Sequence, residues 1–275
     1  MPTTPWLSVT EHVPIDHPAD APMVVLVHGS LDRSASFARV CRRLDDLHTV
    51  VYDRRGYHRS RHVLPLNTTL DGHVDDLLAV IDGRAAVVVG HSYGGDIALG
   101  AALREPTASS PIVAVVAYEP PMPWLEVWEP AAGSATGGAP ANPGDPIDPE
   151  VAAAAAERFF RRMVGDAAWD RLPESARVDR RADGLALEAE LRAIRTQEAP
   201  FDVGALTIPA VFGLGGNSVG RYRQGAGWLV EHTPGAELVE LPGASHGAHL
   251  THPDGFAQLV RLALARVGSS ATSAP

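Results

Sequence analysis

The chain has 275 residues, of which 45% are hydrophobic and 20% are charged, a globular composition long enough for one large α/β domain. With 23 basic and 33 acidic residues its formal net charge is −10, so neither nucleic acid nor an anionic membrane is expected as a main partner. Apart from histidine, every basic residue is arginine, which excludes a lysine nucleophile or Schiff base.

The sequence also predicts the compartment. Its one cysteine, Cys41, cannot form an intrachain disulfide, and an amphipathic setting favours a buried structural thiol. The first residues lack a charged segment followed by an apolar core, so no secretory signal is expected. No apolar run approaches the ~20 residues that a membrane-spanning helix requires. We therefore expect a soluble cytoplasmic protein, with its oligomeric state left open.

Short runs rich in valine, isoleucine and leucine alternate with segments of helical periodicity. The runs are continuous rather than alternating with polar residues, which predicts strands covered on both faces and hence a mostly parallel sheet with flanking helices. WLSVTEHV near the start predicts an additional edge strand. The predicted strands lie within residues 21–30, 47–56, 84–92, 111–120, 208–216 and 236–244, and the predicted helices within 34–46, 71–82, 93–104, 220–232 and 253–267.

Residues 121–205 interrupt this alternation because they contain no convincing strand pattern. A Gly/Pro/Ala-rich stretch at 131–149 predicts a flexible loop, and helical segments follow at 149–165 and 182–197. An insertion at this point of the chain predicts a helical cap over the carboxyl edge of the sheet. The predicted core comprises residues 1–120 and 206–267, and residues 268–275 are predicted to form a disordered tail.

The nucleophile is predicted from the stretch VVVGHSYGGDIAL, which contains G-x-S-x-G centred on Ser92. A buried strand precedes the motif and an Ala/Leu-rich helix follows it, which is the context that gives the motif meaning. The turn raises the serine hydroxyl above the sheet edge at a helix N-terminus, where the helix dipole favours developing negative charge. A tight glycine turn with an incidental serine is the competing interpretation.

The motifs together resemble the α/β-hydrolase fold superfamily over nearly all of residues 5–267. The matching pieces are HGS after the first parallel strand, YDRRGYHRS after the second, GHSYGG at the elbow and PGASHGAHLTHP near the end. The resemblance implies an α/β-hydrolase fold with a cap, and it implies no particular substrate. The serine at the elbow separates the chain from epoxide hydrolases and haloalkane dehalogenases, which use aspartate there.

The resemblance also implies an oxyanion hole made of two backbone N–H groups. One belongs to Tyr93, which follows the nucleophile, and the other to Ser30 in the loop after the first parallel strand, with Leu31 as the alternative. His28 is interpreted as a structural residue that hydrogen-bonds this loop. Because the predicted donors are main-chain groups, substitution of their side chains would not remove them.

His246 is the predicted general base among the 12 histidines. It follows the last predicted strand, which matches the order of nucleophile first and histidine last in this fold. His249 is the alternative base. His91, inside the elbow, is expected to pack beside the nucleophile rather than act as a base.

Glu119 is the predicted acid. The segment AVFGLGGNSVGRYR, where a hydrolase of this fold usually carries its acid, contains no carboxylate. Glu119 ends the strand that follows the nucleophile's strand, and the resemblance implies that some relatives place the acid there. Two prolines follow it and stiffen the loop. The alternatives are Glu126, Glu129, Asp53, Asp96 or no acid at all; Asp53 is interpreted as bonding an arginine or loop amides.

These residues predict a serine hydrolase that cleaves a carboxylic ester or lactone through an acyl-enzyme. No cofactor or metal is expected, since no Cys/His cluster has zinc spacing. Thioesterase, C–C bond hydrolase, cofactor-free lyase and non-catalytic ligand-binding protein remain alternatives. Aromatic and apolar residues of the insertion are predicted to bind an apolar small-molecule substrate, or simply to attach the cap to the core: Trp124, Leu125, Trp128, Phe159, Phe160 and Met163.

Overall fold

A computed structural model of the chain describes residues 7–64, 66, 69–104, 110–126, 128, 146–194 and 198–271. Seven strands form one sheet in the order β1-β3-β2-β4-β5-β6-β7, and only β1 runs antiparallel to its neighbour. The prediction of a mostly parallel sheet with an added edge strand is confirmed. The strands are β1 (Val9–His12), β2 (Met23–Val27), β3 (Thr49–Tyr52), β4 (Ala86–His91), β5 (Ile112–Tyr118), β6 (Ala210–Gly215) and β7 (Glu237–Leu241).

The helices cover both faces of the sheet, so each central strand is buried on both sides. In β2, Val25 and Val27 belong to one apolar cluster, whereas Val24 and Leu26 belong to the cluster on the opposite face. This explains the continuous apolar runs in the sequence. The helices are α1 (Ala38–Cys41), α2 (Leu70–Ile81), α3 (Tyr93–Arg104), α4 (Pro149–Val164), α5 (Asp166–Asp170), α6 (Glu174–Ala182), α7 (Gly184–Ile194), α8 (Gly220–His232), α9 (Ala248–Thr251) and α10 (Pro253–Ala271).

Two predicted helices differ in extent from the structure. The segment predicted as a helix over 34–46 is a 3-10 turn at Ser34–Phe37 followed by the single turn of α1. Phe37, Val40 and Leu44 are all buried, so their helix-like spacing reflects packing rather than a continuous helix. At the other end of the chain, α10 continues to Ala271, four residues into the predicted tail, and residues 272–275 lie outside the described part.

The predicted insertion holds four helices, α4 to α7, and the described part of residues 121–205 contains no strand. Asp148 caps α4 by accepting from the N–H groups of Glu150 and Val151, and Pro149 occupies the first turn. Residues 131–145 of the predicted loop lie outside the described residues. None of the described helices is long and apolar enough to cross a membrane.

Candidate active site

Ser92 lies in the turn between β4 and α3 with a φ of 54°. Its N–H donates to the carbonyl oxygen of Tyr118 over 2.9 Å. A Cβ at Gly90 would lie 2.0 Å from the carbonyl oxygen of Gly94, and a Cβ at Gly94 would lie 2.1 Å from that of Val27. Only glycine fits on either side of the serine, which is the physical reason for the G-x-S-x-G pattern.

Three residues with left-handed backbone follow three neighbouring strands at the same edge of the sheet. Leu31 has a φ of 53°, Ser92 of 54° and Glu119 of 47°, and they follow β2, β4 and β5. Such conformations in non-glycine residues cost about 1–3 kcal/mol each and concentrate at functional sites. The carboxyl edge of the sheet is therefore the candidate active site.

Glu119 and His246 meet at this edge. The Oε2 of Glu119 lies 2.8 Å from Nδ1 of His246, and Oε1 accepts a hydrogen bond from the N–H of Gly215 over 2.7 Å. The main-chain N–H of Glu119 donates to Gly213 over 3.1 Å, so β6 holds both the backbone and the carboxylate. The structure thus brings together the acid and the histidine that the sequence selected, although no carboxylate follows β6.

Tyr222, in α8, covers one face of the His246 ring. The two rings are stacked with centroids 4.4 Å apart and an angle of 12° between their planes. The Tyr222 hydroxyl lies 3.4 Å from Nε2, at the long limit for a hydrogen bond. Burial raises the pKa of Tyr222 to about 12, assisted by the charge of Glu119, so the phenol is neutral at physiological pH.

The loop after β2 forms another wall of the site. His28 receives the N–H of Arg54 at Nε2 over 2.9 Å, and its Nδ1 lies 2.8 Å from the carbonyl oxygen of Gly29, which is the structural position expected for it. Asp53 likewise accepts from the N–H and hydroxyl of Ser34. Tyr93 is the first residue of α3, so its N–H points away from the helix as the oxyanion prediction requires.

A cavity of about 160 Å³ opens beside Ser92. Its walls bring together Ser92, His246 and Ser30, and three cap residues, Phe159, Phe160 and Met163, contribute apolar surface. Leu31, Val164 and Leu250 extend this apolar lining. The polar members that the sequence analysis did not select for this cavity are Asp32 and Arg180. The remaining lining residues are His91, Gly247 and His249.

Trp124 and Trp128 do not line this cavity, which corrects their predicted place at the substrate. Trp124 packs edge-on against Phe201 and lines a separate small cavity. Trp128 packs edge-on against Tyr222, 5.4 Å between centroids. Both, like Leu125, pack against the main core cluster. Glu126 is exposed, and Glu129 lies outside the described residues.

The cap is joined to the sheet by buried charge. Arg54 and Glu190 are both almost fully buried and form an ion pair of 2.7 Å between Nη1 and Oε2. Burial alone would lower the pKa of Arg54, but the charge and hydrogen bond of Glu190 outweigh it and raise the pKa. Glu190 also accepts from the Ser30 hydroxyl, and Arg180 donates to the Leu31 carbonyl oxygen. The cap thereby holds the loop that carries the predicted oxyanion donor.

Comparison with known proteins identifies the family to which the chain belongs. The sequence model of the Alpha/beta hydrolase family matches residues 24–259, and the chain belongs to this family. A pimeloyl-(acyl-carrier protein) methyl ester esterase of Nitrosospira multiformis is 29% identical over 258 residues, 89% of this chain and 95% of that protein. Polyketide synthase ThaQ of Burkholderia thailandensis is 30% identical over 248 residues, and the match spans 86% of this chain but 11% of that protein.

Among solved structures, the enol-lactonase from Burkholderia xenovorans LB400 superposes with a TM-score of 0.66. It is 20% identical, and the match covers 94% of this chain and 96% of that chain, which supports a shared fold. The Nitrosospira multiformis relative, an esterase that the match covers almost completely, supports an enzyme of the hydrolase type.

Proposed function

We propose that the protein hydrolyses a small carboxylic ester or lactone through an acyl-enzyme, with Ser92 as nucleophile, His246 as general base and Glu119 as the acid that orients it. The observation that carries the proposal is the 2.8 Å contact between Glu119 and Nδ1 of His246, at the edge of a cavity that Ser92 shares. The esterase and lactonase relatives support the same chemistry.

In the proposed acylation step, Ser92 Oγ attacks the carbonyl carbon and its proton passes to Nε2 of His246. The oxyanion accepts hydrogen bonds from the N–H groups of Tyr93 and Ser30, with Leu31 as the alternative donor. The tetrahedral intermediate then collapses, and the leaving alkoxide takes the proton from His246. Water attacks the acyl-enzyme by the same route in reverse, which releases the carboxylic acid and restores the serine.

Glu119 serves this cycle in two ways. As an acceptor from Nδ1–H it fixes the tautomer that leaves Nε2 free to receive the serine proton, and its charge stabilises the imidazolium that forms. Its second oxygen accepts from Gly215, so the carboxylate keeps one orientation throughout the cycle. Among the described contacts, Nε2 of His246 lies 3.4 Å from the Tyr222 hydroxyl and has no hydrogen bond to Ser92. A hydrogen bond between nucleophile and base often shortens only when substrate is bound.

The cavity supports an apolar acyl or alcohol group of modest size. The cap side chains Phe159, Phe160 and Met163 face the opening beside Ser92, and about 160 Å³ accommodates a short chain or a small ring rather than a long lipid. We therefore propose p-nitrophenyl esters of short to medium acyl chains and simple lactones as first substrates.

The test is a panel of p-nitrophenyl esters, matched thioesters and lactones, measured with the wild-type protein and Ser92→Ala. Ser92→Ala should fold normally and lose hydrolysis by several orders of magnitude, because the acyl-enzyme cannot form. Ser175→Ala, an exposed cap serine, is the matched control and should keep full activity. A fluorophosphonate should label the wild-type protein and the control but not Ser92→Ala.

The same assay separates the two candidate bases. His246→Ala should abolish the acylation burst, whereas His249→Gln should keep it. Retention of more than about a tenth of the activity in Ser92→Ala would contradict the proposal, as would loss of the burst in the His249 variant alone. A panel in which only thioesters react would replace the ester by a thioester as substrate class.

A further inference from the structure

Three side chains from distant parts of the sequence converge beside the cavity. Asp32 follows β2, His91 ends β4 and His249 lies in α9, and one ligand atom from each lies within 4.8 Å of the other two. His91 and His249 are almost fully buried. The proposed hydrolysis uses none of these side chains, so their convergence needs a separate explanation.

His91 has the tautomer of a metal ligand. Its Nε2 lies 2.8 Å from the carbonyl oxygen of His246, and because a carbonyl only accepts, Nε2 carries the hydrogen. The lone pair is therefore on Nδ1, which is buried and has no hydrogen-bond partner among the described residues. Metal-bound histidines commonly donate their second N–H to a backbone carbonyl in this way.

His249 is the second nitrogen donor. Both of its ring nitrogens are buried without a hydrogen-bond partner within the described chain, an arrangement that is costly for a polar ring. Its Nε2 lies 3.3 Å from Oδ2 of Asp32, in a contact that lacks hydrogen-bond alignment. Two ligands at about 2.0–2.1 Å from a tetrahedral zinc ion are separated by about 3.3 Å, the spacing of this pair. The full cluster spans up to 4.8 Å, so its side chains would move closer together around an ion.

We propose that Asp32, His91 Nδ1 and His249 form a binding site for a divalent transition-metal ion of the Zn²⁺ class. Two imidazoles and one carboxylate are a ligand set typical of zinc and its neighbours, and a fourth position would face the cavity. A second layer is already present, because His246 holds the His91 ring and the Ser36 hydroxyl donates to Asp32 Oδ2 over 2.9 Å.

The competing interpretation is a direct contact between Asp32 and His249, with the rings of His91 and His249 packed against each other at 4.1 Å between centroids. That contact uses one nitrogen of His249, as a shared ion also would, and leaves Nδ1 of His91 without a partner among the described residues. An ion shared by the three side chains would give each ring one ligand bond.

The test uses full-length, tag-free protein treated with a chelator and titrated with Zn²⁺ by calorimetry at pH 7.5, with Co²⁺ absorption as a second readout. We expect one tight equivalent, and a loss of at least about 10–100-fold in affinity in Asp32→Asn and His249→Gln, the scale on which disturbed metal sites weaken. His252→Gln, three residues further on, is the matched control among the chain's 12 histidines and should bind like the wild type. Ser92→Ala should also bind normally, so failure of the hydrolase proposal would not affect this one.

Asp32→Asn decides the outcome if His249→Gln does not fold, since asparagine retains an oxygen that can accept from Ser36. The proposal is overturned if the wild-type protein takes up no tight equivalent of Zn²⁺ or Co²⁺. It is equally overturned if Asp32→Asn binds as tightly as the wild type, which would place the ion at another histidine.

Discussion

The carboxyl edge of the sheet and the face of the cap build opposite walls of one site by different physical means. At the sheet edge, Ser92 and Glu119 are positioned by main-chain hydrogen bonds to neighbouring strands and by close contacts that only glycine permits. On the cap side, a small apolar cluster and buried charge, above all Arg54 and Glu190, hold the helices against the sheet. The first wall is fixed by strand register and the second by side-chain pairing.

Because the two walls are held by different interactions, substitutions in them should affect turnover and folding stability separately. The register that pairs His91 with Tyr118 and Tyr118 with Gly213 sets where the proposed nucleophile and the proposed acid lie, and we expect that an isosteric side-chain change does not move it. The cap depends on charges that are costly to bury alone. We therefore expect isosteric changes at the sheet edge to reduce turnover at nearly constant stability, and changes at the cap junction to do the reverse.

The largest effect is expected at the sheet edge, in Glu119→Gln. The amide keeps the shape of the side chain but removes the charge that orients and stabilises His246, so kcat should fall by roughly 10²–10⁴. Thermal unfolding should change little, because the Gln oxygen can still accept from the N–H of Gly215. Ester hydrolysis and a melting curve on the same preparation measure both quantities.

Glu126→Gln is the matched control, since this exposed glutamate lies seven residues further along the chain. It should behave as the wild type in both assays. Near-normal turnover in Glu119→Gln would remove glutamate from the proposed triad, and an equal loss in both variants would point to a general effect of charge.

At the cap junction, Glu190→Gln should lower the free energy of unfolding by about 3–5 kcal/mol, because it leaves the Arg54 guanidinium buried without its counter-charge. Because the Gln oxygen can still accept from the Ser30 hydroxyl, activity should fall by less than in Glu119→Gln. Urea denaturation measures the stability change. Asp254→Asn, which removes the partner of Arg43 in an exposed pair, should leave stability close to wild type. Similar stability in both variants would contradict the role assigned to the buried pair.

The sheet edge could be predicted from sequence because its signals are local. A buried strand, a G-x-S-x-G turn and a helix stand next to each other around Ser92, and Glu119 ends the next strand along the chain. Since parallel strands end at the same edge, adjacency in the order of strands becomes adjacency in space. Because no carboxylate lies in the turn after β6, an acid for His246 is expected on the neighbouring strand, where Glu119 lies.

The cap junction could not be predicted in the same way. Glu190 pairs with a residue 136 positions away, and nothing in a helical repeat indicates which polar side chain turns inward. Trp124 and Trp128 share the apolar character of Phe159, yet they pack on the core, since composition does not state which cavity a side chain faces. The convergence of Asp32, His91 and His249 could not be predicted from sequence either. Metal sites are recognised in sequence by ligands that are close together along the chain, and these three residues are far apart.

The third prediction compares Glu190, a buried carboxylate paired with Arg54 at the cap, with Asp96, a buried carboxylate that lacks such a pair among the described residues. Asp96, in α3, is buried with no hydrogen-bond partner for either oxygen among the described residues, beside a cavity of about 40 Å³ that Trp124 and Ile194 also line. Burial raises the pKa of Asp96, and the charge of Glu190 raises it further. The folded state therefore binds the proton more tightly than the unfolded state, and stability decreases as pH rises above the unfolded pKa of about 3.9.

Asp96→Asn removes this titration. Relative to the wild type, the variant should gain stability between pH 4 and pH 8, by about 1–3 kcal/mol if the carboxylate ionises without a partner. In a domain of this size each kcal/mol corresponds to a shift of about 2–4 °C in melting temperature. Asp16→Asn, at an exposed aspartate, is the control and should show no such trend. A melting difference that stays constant with pH would show that Asp96 finds a partner.

The smallest effect is expected at Tyr222, whose ring covers one face of His246. The Tyr222 ring stacks on the imidazole, and its hydroxyl lies 3.4 Å from Nε2, which is long for a hydrogen bond. We therefore expect packing to contribute more than hydrogen bonding. Tyr222→Phe keeps the stack and should change kcat by less than about threefold, the size of a weak hydrogen bond of about 0.5 kcal/mol. Tyr222→Leu removes the flat surface and should reduce kcat further, with a smaller change in KM, since the histidine loses its orientation. Steady-state kinetics of both variants separate the two contributions. A large loss in Tyr222→Phe would instead show that the hydroxyl is a direct partner of Nε2 that positions the imidazole.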